Sequence, residues 1–322
     1  MRKLGLSIYL KDIKIDKEYL ELGIKYGFTR LFMSLLKVDE VSDYIKLIKY
    51  AKELGYEVVV DVNQDLKISY KELGVNLLRL DEGNIDIAKD LLEINASIKQ
   101  DYNGYKYACH NFYPLKYTGL NLDYFNELNK DLKKHNINIG AFVSSNENHA
   151  FGPWPINEGL CSLECHRYLP IDVQVKHLFI LGIDTVIIAN AYATEEELKA
   201  CQEALLNPNT LHIETIENSV IENKIIDEKH YLREEKNDTV LRSTLPRLIY
   251  KKYPIYKKDY YQLYKGDVVI VNETIPHYKG ELHILKKDIK NDGRYNLVGR
   301  IPKEEHLLLN ECLNEIIFIR KD

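Results

Sequence analysis

The sequence predicts an α/β protein: a (β/α)8 barrel of the TIM type over residues 1–210, followed by a β-rich domain over residues 211–322. Three observations carry that expectation. Short apolar runs recur through the first part, with apolar residues at helical spacing between most of them. The runs are continuous rather than alternating, as in Val58-Val59-Val60, the pattern of parallel strands covered on both faces. The nearest competitor, a doubly wound sheet, is disfavoured because no GxGxxG or GxxxxGK[ST] phosphate turn occurs anywhere.

In order, Lys3–Tyr9 forms the first strand, and Tyr19, Leu22, Gly23 and Tyr26 share a helical face ending at Gly27. Arg30–Leu35 is the second strand, followed by Val41, Tyr44, Ile45 and Ile48 on one helical face. Glu57–Val62 and Leu77–Leu80 are the third and fourth. Ile94–Ser97 is the fifth and least distinct, standing close ahead of the sixth, Tyr107–His110. Ile139–Val143 and Thr185–Ala189 complete eight, with helices at Leu122–His135 and Ile171–Leu181. After Asn207-Pro-Asn209 the pattern changes. Val268–Val271, Leu282–Leu285, Leu297–Ile301 and Ile316–Ile319 read as strands set off by turns at Gly266-Asp267, Lys279-Gly280 and Asn291-Asp-Gly293, with no comparable helix between them.

A chain of 322 residues with 45% apolar content can bury a large core. Its net charge of −5, without a basic block, sets aside a nucleic-acid groove or an anionic membrane surface as partner. Five cysteines and no secretory start predict reduced thiols and a cytoplasmic protein. No targeting segment is expected, and no apolar run approaches the ~20 residues of a membrane span. The 24 tyrosines accompany an excess of Lys, Ile and Asn and read as compositional drift. Oligomeric state is left open; a homo-oligomer is compatible with the sequence.

In barrels of this kind chemistry sits at the C-terminal strand ends. There the sequence places Asp61 and Asn63, Arg79 with Asp81 and Glu82, Asn95, His110-Asn111 with Tyr113 and Tyr117, Ser144-Ser145, and Asn190 with Tyr192. The seventh strand feeds the long loop His149–Arg167, which carries the only tryptophan, Glu158, His166 and Arg167. So long a stretch without hydrophobic periodicity reads as an ordered site loop. Plainer readings stand beside these. Asp81 could cap a helix, His110 could be a hydrogen-bonded core residue, and Arg79 could hold Asp61 or Asp81 in a structural ion pair. A buried Asp61 needs partners, and Glu158 has no adjacent cation.

Cys161-x3-Cys165-His166 lacks the second pair that structural zinc sites favour, so no metal is expected and packing thiols are the simpler reading. No cofactor motif and no GxSxG elbow are present, and no strand end offers the lysine an aldolase needs. Carboxylates in a polar mouth suit glycoside hydrolysis, with Glu158 and Asp61 or Asp81 as acid and base.

Several motifs together resemble the 6-phospho-N-acetylmuramidases of the MupG type: Lys3-Leu-Gly-Leu-Ser-Ile-Tyr9, Tyr26-Gly-Phe-Thr-Arg-Leu-Phe32, Arg79-Leu-Asp81, Ile94-Asn-Ala-Ser97, Cys109-His-Asn-Phe-Tyr-Pro114, Gly152-Pro153, Asn157-Glu-Gly-Leu160, Leu163-Glu164 and His166-Arg167. Gly280-Glu-Leu282 and Asn296-Leu-Val-Gly-Arg-Ile301 are similar to that family's cyclophilin-like domain. The resemblance implies a barrel plus cyclophilin-like domain, and a cytoplasmic glycosidase whose substrate is a phosphorylated amino-sugar disaccharide from cell-wall turnover. That substrate is N-acetylmuramic acid 6-phosphate β-linked to N-acetylglucosamine, taken up by a phosphotransferase system. Asp61, Asp81 and Glu158 match acidic positions of the pattern. Arg79, Asn95, His110, Asn111, Tyr113, Tyr117, His166, Arg167, Asn190 and Arg242 are the candidate substrate contacts, with Arg167 first for the phosphate and Arg79 and Arg242 behind it. Arg242 could lean over a barrel mouth of its own or a neighbouring subunit, or be an ordinary surface arginine. The chain departs from the pattern at Asp61-Val-Asn-Gln-Asp65 and Asp81-Glu-Gly-Asn84. A phosphosugar-binding or regulatory protein without turnover is the other reading, and a metal-independent isomerase or aldolase a third.

Overall fold

The computed structural model describes residues 1–36, 38, 40–63, 69–81, 86–153, 158–235, 237–311 and 313–321. It divides into two compact units, Met1–Pro208 and Asn209–Asp322.

The first unit is a closed parallel barrel of β1 (Lys3–Ile8), β2 (Phe28–Ser34), β3 (Glu57–Val62), β4 (Leu77–Leu80), β5 (Leu92–Asn95), β6 (Tyr107–Cys109), β7 (Asn138–Val143) and β8 (Thr185–Ile188), closed by the β1–β8 pairing. Around it lie α1 (Ile13–Lys25), α2 (Ser42–Glu53), α3 (Tyr70–Leu73), α4 (Leu122–Lys134), α5 (Ile171–Ile180) and α6 (Glu195–Leu206). Side chains alternate across each strand. Leu31 and Met33 of β2 and Val58, Val60 and Val62 of β3 join the helices in one large core. Phe32, Cys109, Phe142 and Ile187 form a separate cluster inside the barrel.

The helices start where side-chain oxygens satisfy the first free amides. Asp12 caps α1, Asn121 caps α4, and Thr194 with Glu197 forms a capping box on α6. The indistinct fifth strand has a structural cause. A single 3-10 turn, Lys89–Leu91, leads into β5, and residues 96–106 between β5 and β6 contain no helix.

The second unit contains β9 (Thr210–Thr215), α7 (Val220–Ile226), β10 (His230–Tyr231), β11 (Val240–Ser243), α8 (Leu245–Tyr250), β12 (Gln262–Leu263), β13 (Asp267–Val271), β14 (Leu282–Leu285), β15 (Ile289–Lys290), β16 (Tyr295–Arg300) and β17 (Glu315–Arg320). Seven of these strands make one sheet in the order β10-β17-β9-β16-β13-β14-β11, antiparallel except for the β17–β9 pair. The four strands expected from the sequence are β13, β14, β16 and β17. The rest are short or, like β9, interleave polar residues, and gave no comparable signal. Among the described residues no helix is long and apolar enough to cross a membrane.

Candidate active site

The register of three neighbouring strands builds the centre of the barrel mouth. Arg79 on β4 lies opposite Asp61 on β3 and Glu93 on β5. Its Nη1 donates to Asp61 Oδ1 at 2.9 Å, and its Nη2 reaches Asp81 Oδ1 at 3.4 Å and Asn111 Oδ1. Asn95 donates to the same Asp81 oxygen at 2.7 Å and accepts from the Ser97 amide at 2.8 Å. One guanidinium therefore ties together two carboxylates that differ in surroundings: the Asp61 side chain is 8% exposed and that of Asp81 is 46% exposed. Burial pushes the Asp61 carboxyl above its ordinary value against the pull of Arg79, helped by the negative charges of Asp81 and Glu93.

Beneath this layer Arg30 of β2 pairs with Glu93 inside the barrel and reaches Glu57 at 3.4 Å. Arg30 and Glu93 are not among the site residues expected from the sequence. Their signal was present, as charged residues interrupting otherwise apolar strands.

Two adjoining cavities of about 190 and 300 Å3 open over the pair and share Phe32, Asp61 and Phe112. Together they fall within the ~300–1,000 Å3 typical of small-molecule sites. One is lined by Arg79, Asp81, Asn111, Pro114 and Phe142, the other by Tyr9, Ser34, Tyr44, Phe151 and others. The aromatic wall was also missed: Phe32 and Phe142 read as core within β2 and β7, and Tyr44 as part of a helical face. Among the described residues, four of the five non-glycine residues with positive φ, Leu10 (43°), Tyr117 (72°), Tyr168 (67°) and Tyr192 (65°), lie on the loops after β1, β6, β7 and β8. Such backbone strain gathers at functional sites.

The other candidates occupy different places. His110 is fully buried, with Nε2 2.8 Å from Asn129 Oδ1 and Nδ1 3.4 Å from Ser97; burial pushes its imidazole down to about 4. Tyr113 is half-buried, and burial raises its phenol above the ordinary value. Asn190 is spent on the backbone of Ser145, at 2.9 Å in each direction, and Tyr117 is 80% exposed. Glu158 Oε2 accepts from the Lys116 amide at 2.8 Å, and Glu158 is absent from the described lining of both cavities.

Arg167 is a clamp. Nε and Nη2 donate to Glu164 at 2.8 Å each, Nη1 to the carbonyls of Glu158 and Gly159, and Nη2 also to those of Tyr113 and Leu115. No donor nitrogen of this guanidinium is left over for a phosphate. His166 is likewise fully buried, with Nε2 2.7 Å from His177 Nδ1. Cys165, His166 and His177 gather their donor atoms within 4.8 Å, and one nitrogen of each imidazole is engaged in that hydrogen bond. Gln64-Asp65, Glu82–Asn84 and the Trp154–Asn157 part of the long loop lie outside the described residues.

Sequence profiles described as the N-terminal and C-terminal parts of 6-phospho-N-acetylmuramidase match residues 4–203 and 209–315. The chain belongs to the 6-phospho-N-acetylmuramidase family. It is a glycosidase of that family, and the family implies a phosphorylated sugar as substrate. A solved structure titled as an uncharacterized B. cereus protein is 35% identical, covers 99% of both chains and has a TM-score of 0.86. A conserved Enterococcus faecalis protein of unknown function is 25% identical over 99% of this chain and 96% of its own, with a TM-score of 0.74. No curated protein matches the chain.

Proposed function

We propose that this family member hydrolyses the glycosidic bond between N-acetylmuramic acid 6-phosphate and N-acetylglucosamine in the cytoplasm, with Asp61 and Asp81 as the working carboxylates. The observation that carries the reading is the pair itself: one buried and one half-exposed carboxylate on a shared guanidinium, in a cavity walled by aromatic rings. Glycoside hydrolysis needs one carboxyl to give a proton to the leaving oxygen and another to act as base or nucleophile at the sugar carbon. The raised Asp61 suits the first role and Asp81 the second. Arg79 neutralises the pair between turnovers, and Phe32, Phe112 and Phe142 offer apolar faces to a sugar ring. Glu158, on the neighbouring loop, is the third candidate acid.

The test is to incubate the full chain with the phosphorylated disaccharide and its unphosphorylated analogue and to separate products by mass. Release of N-acetylglucosamine from the phosphorylated substrate alone is expected. Saturable binding with no product would support the phosphosugar-binding reading instead.

A further inference from the structure

The second unit gathers cationic side chains around one buried carboxylate, and the glycosidase chemistry does not use them. Glu281 is fully buried. Its Oε1 accepts from Arg247 Nη1 at 2.7 Å, and its Oε2 accepts from Arg242 Nη2 at 3.0 Å and lies 3.1 Å from His283 Nε2. Arg242 on β11 and His283 on β14 are register partners and so share one face of the sheet. Arg247 stands on α8, pressed close to the turn before β14: a Cβ on Gly280, whose φ is +93°, would come within 3.1 Å of Arg247 Cα. Tyr295 steadies His283 through Nδ1 at 3.0 Å, and the Tyr278 ring lies under Arg247.

Two arginines and a histidine thus share a carboxylate whose oxygens are both spent. The side chains of Arg242 and Arg247 remain 35% and 28% exposed. Arg242 Nε is buried and meets no acceptor among the described residues. Among those residues Arg247 makes a hydrogen bond only through Nη1. Arg79 and Arg167 differ, because each is engaged by several acceptors. The further carboxylate near Arg242, that of Glu235, is held at the surface by Arg233.

We propose that Arg242 and Arg247 form an oxyanion site on the second unit that takes a phosphate group, either inorganic phosphate or a phosphate monoester, with His283 helping to hold Glu281 in place. Two guanidinium groups held side by side on a fixed carboxylate present forked donors to tetrahedral oxygens, and two cations on one carboxylate leave a positive charge that favours an anion. Glu281 acts as the scaffold that orients the donors. The site stands apart from the glycosidase reading, since an oxyanion would bind there whatever the barrel hydrolyses.

The experiment titrates the full chain with inorganic phosphate, with N-acetylglucosamine 6-phosphate and with N-acetylglucosamine, by calorimetry and by the arginine Nε–Hε resonances. Both phosphates are expected to bind and to shift the Arg242 resonance, and the neutral sugar is not. Tighter binding of the sugar phosphate identifies a monoester as the natural ligand, and equal binding identifies free phosphate. Arg242→Gln and Arg247→Gln should each weaken binding by about tenfold or more. Should either fail to fold with Glu281 unpaired, Arg242→Lys and Arg247→Lys keep the ion pair, lose the fork, and should still weaken binding. Unaltered affinity in the lysine variants, or no saturable binding of either phosphate to the wild type, overturns the proposal. An Asp61→Asn chain should bind phosphate as the wild type does, which separates this site from the catalytic reading.

Discussion

Asp61 sits among groups that pull its proton in opposite directions. Arg79 and burial compete, while Asp81, Glu93, Tyr9 and Cys109 act on it from other strands of the barrel and their ends. As proton donor, Asp61 is active while protonated, so it sets the alkaline limb of kcat/KM against pH. Glu93 raises the Asp61 value, so Glu93→Gln should move that limb to lower pH. Glu57→Gln, which also takes a carboxylate from Arg30, should leave it in place. Asp61→Asn should cost ~10²–10⁴ in rate while the fold survives; near wild-type turnover by both Asp61→Asn and Asp81→Asn would remove the assignment. Arg167 belongs to a different problem. Because its donors hold Glu164 and four carbonyls, Arg167→Ala should lower the melting temperature and reduce kcat on the phosphorylated disaccharide, rather than raise KM alone. The hydrogen bonds from Arg167 hold Glu164 down at about 2, below an unfolded value near 4.5. The stability this adds is present at neutral pH and is lost as pH falls through that interval. Acid titration of Glu164→Gln should therefore show the wild type's advantage at pH 7 disappearing towards pH 2.

At the scale of elements, α1 shows how closely the outer helices are fitted. Gly23 lies where a Cβ would come within 2.4 Å of Leu6 Cδ1 and of the Tyr56 hydroxyl. Both neighbours are buried, and Tyr56 already donates to the Leu20 carbonyl at 2.8 Å. Alanine would gain about 1 kcal/mol of helix propensity. Overpacking a filled core costs typically ~1–3 kcal/mol, and here neither neighbour is free to retreat. Gly23→Ala is expected to lower the melting temperature by a few degrees, measured by circular dichroism; an unchanged or higher value would show that α1 slides to accommodate it. The same fit explains a reading the sequence could not give. Gly23 falls on the apolar stripe of the helix because a larger residue would push α1 off the barrel, which periodicity alone does not reveal.

At the scale of the molecule, the first unit closes its own sheet and contains both site cavities, so it has the parts of an independent domain. Residues 1–208 expressed alone should be soluble and unfold in one cooperative transition followed by calorimetry. Aggregation, or loss of the transition, would show that the second unit is needed for the barrel's stability. Full activity of that fragment on the phosphorylated disaccharide would assign the second unit a role outside catalysis.

Continuous apolar runs and helical stripes determined the barrel, since a strand covered on both faces has little choice but to be apolar throughout. The rule that strand ends carry chemistry was enough to name Asp61, Arg79, Asp81, Asn95 and Asn111 as one group. Only the tertiary structure decided how they share charge. Register set Arg79 between Asp61 and Glu93, and nothing local in the chain records which strands stand beside β4 or how far each is staggered. The same holds for Arg167, His166 and Asn190, which are polar residues at the right end of the barrel. Their hydrogen bonds turn them inward, because a buried donor must find an acceptor: backbone oxygens for Arg167 and Asn190, and the His177 imidazole for His166. In the second unit Arg242 and Arg247 bound one short basic stretch, Arg242-Ser-Thr-Leu-Pro-Arg247, while Glu281 stands far from it in the sequence. Antiparallel pairing of β11 with β14, and the close turn at Gly280, brought them onto one carboxylate.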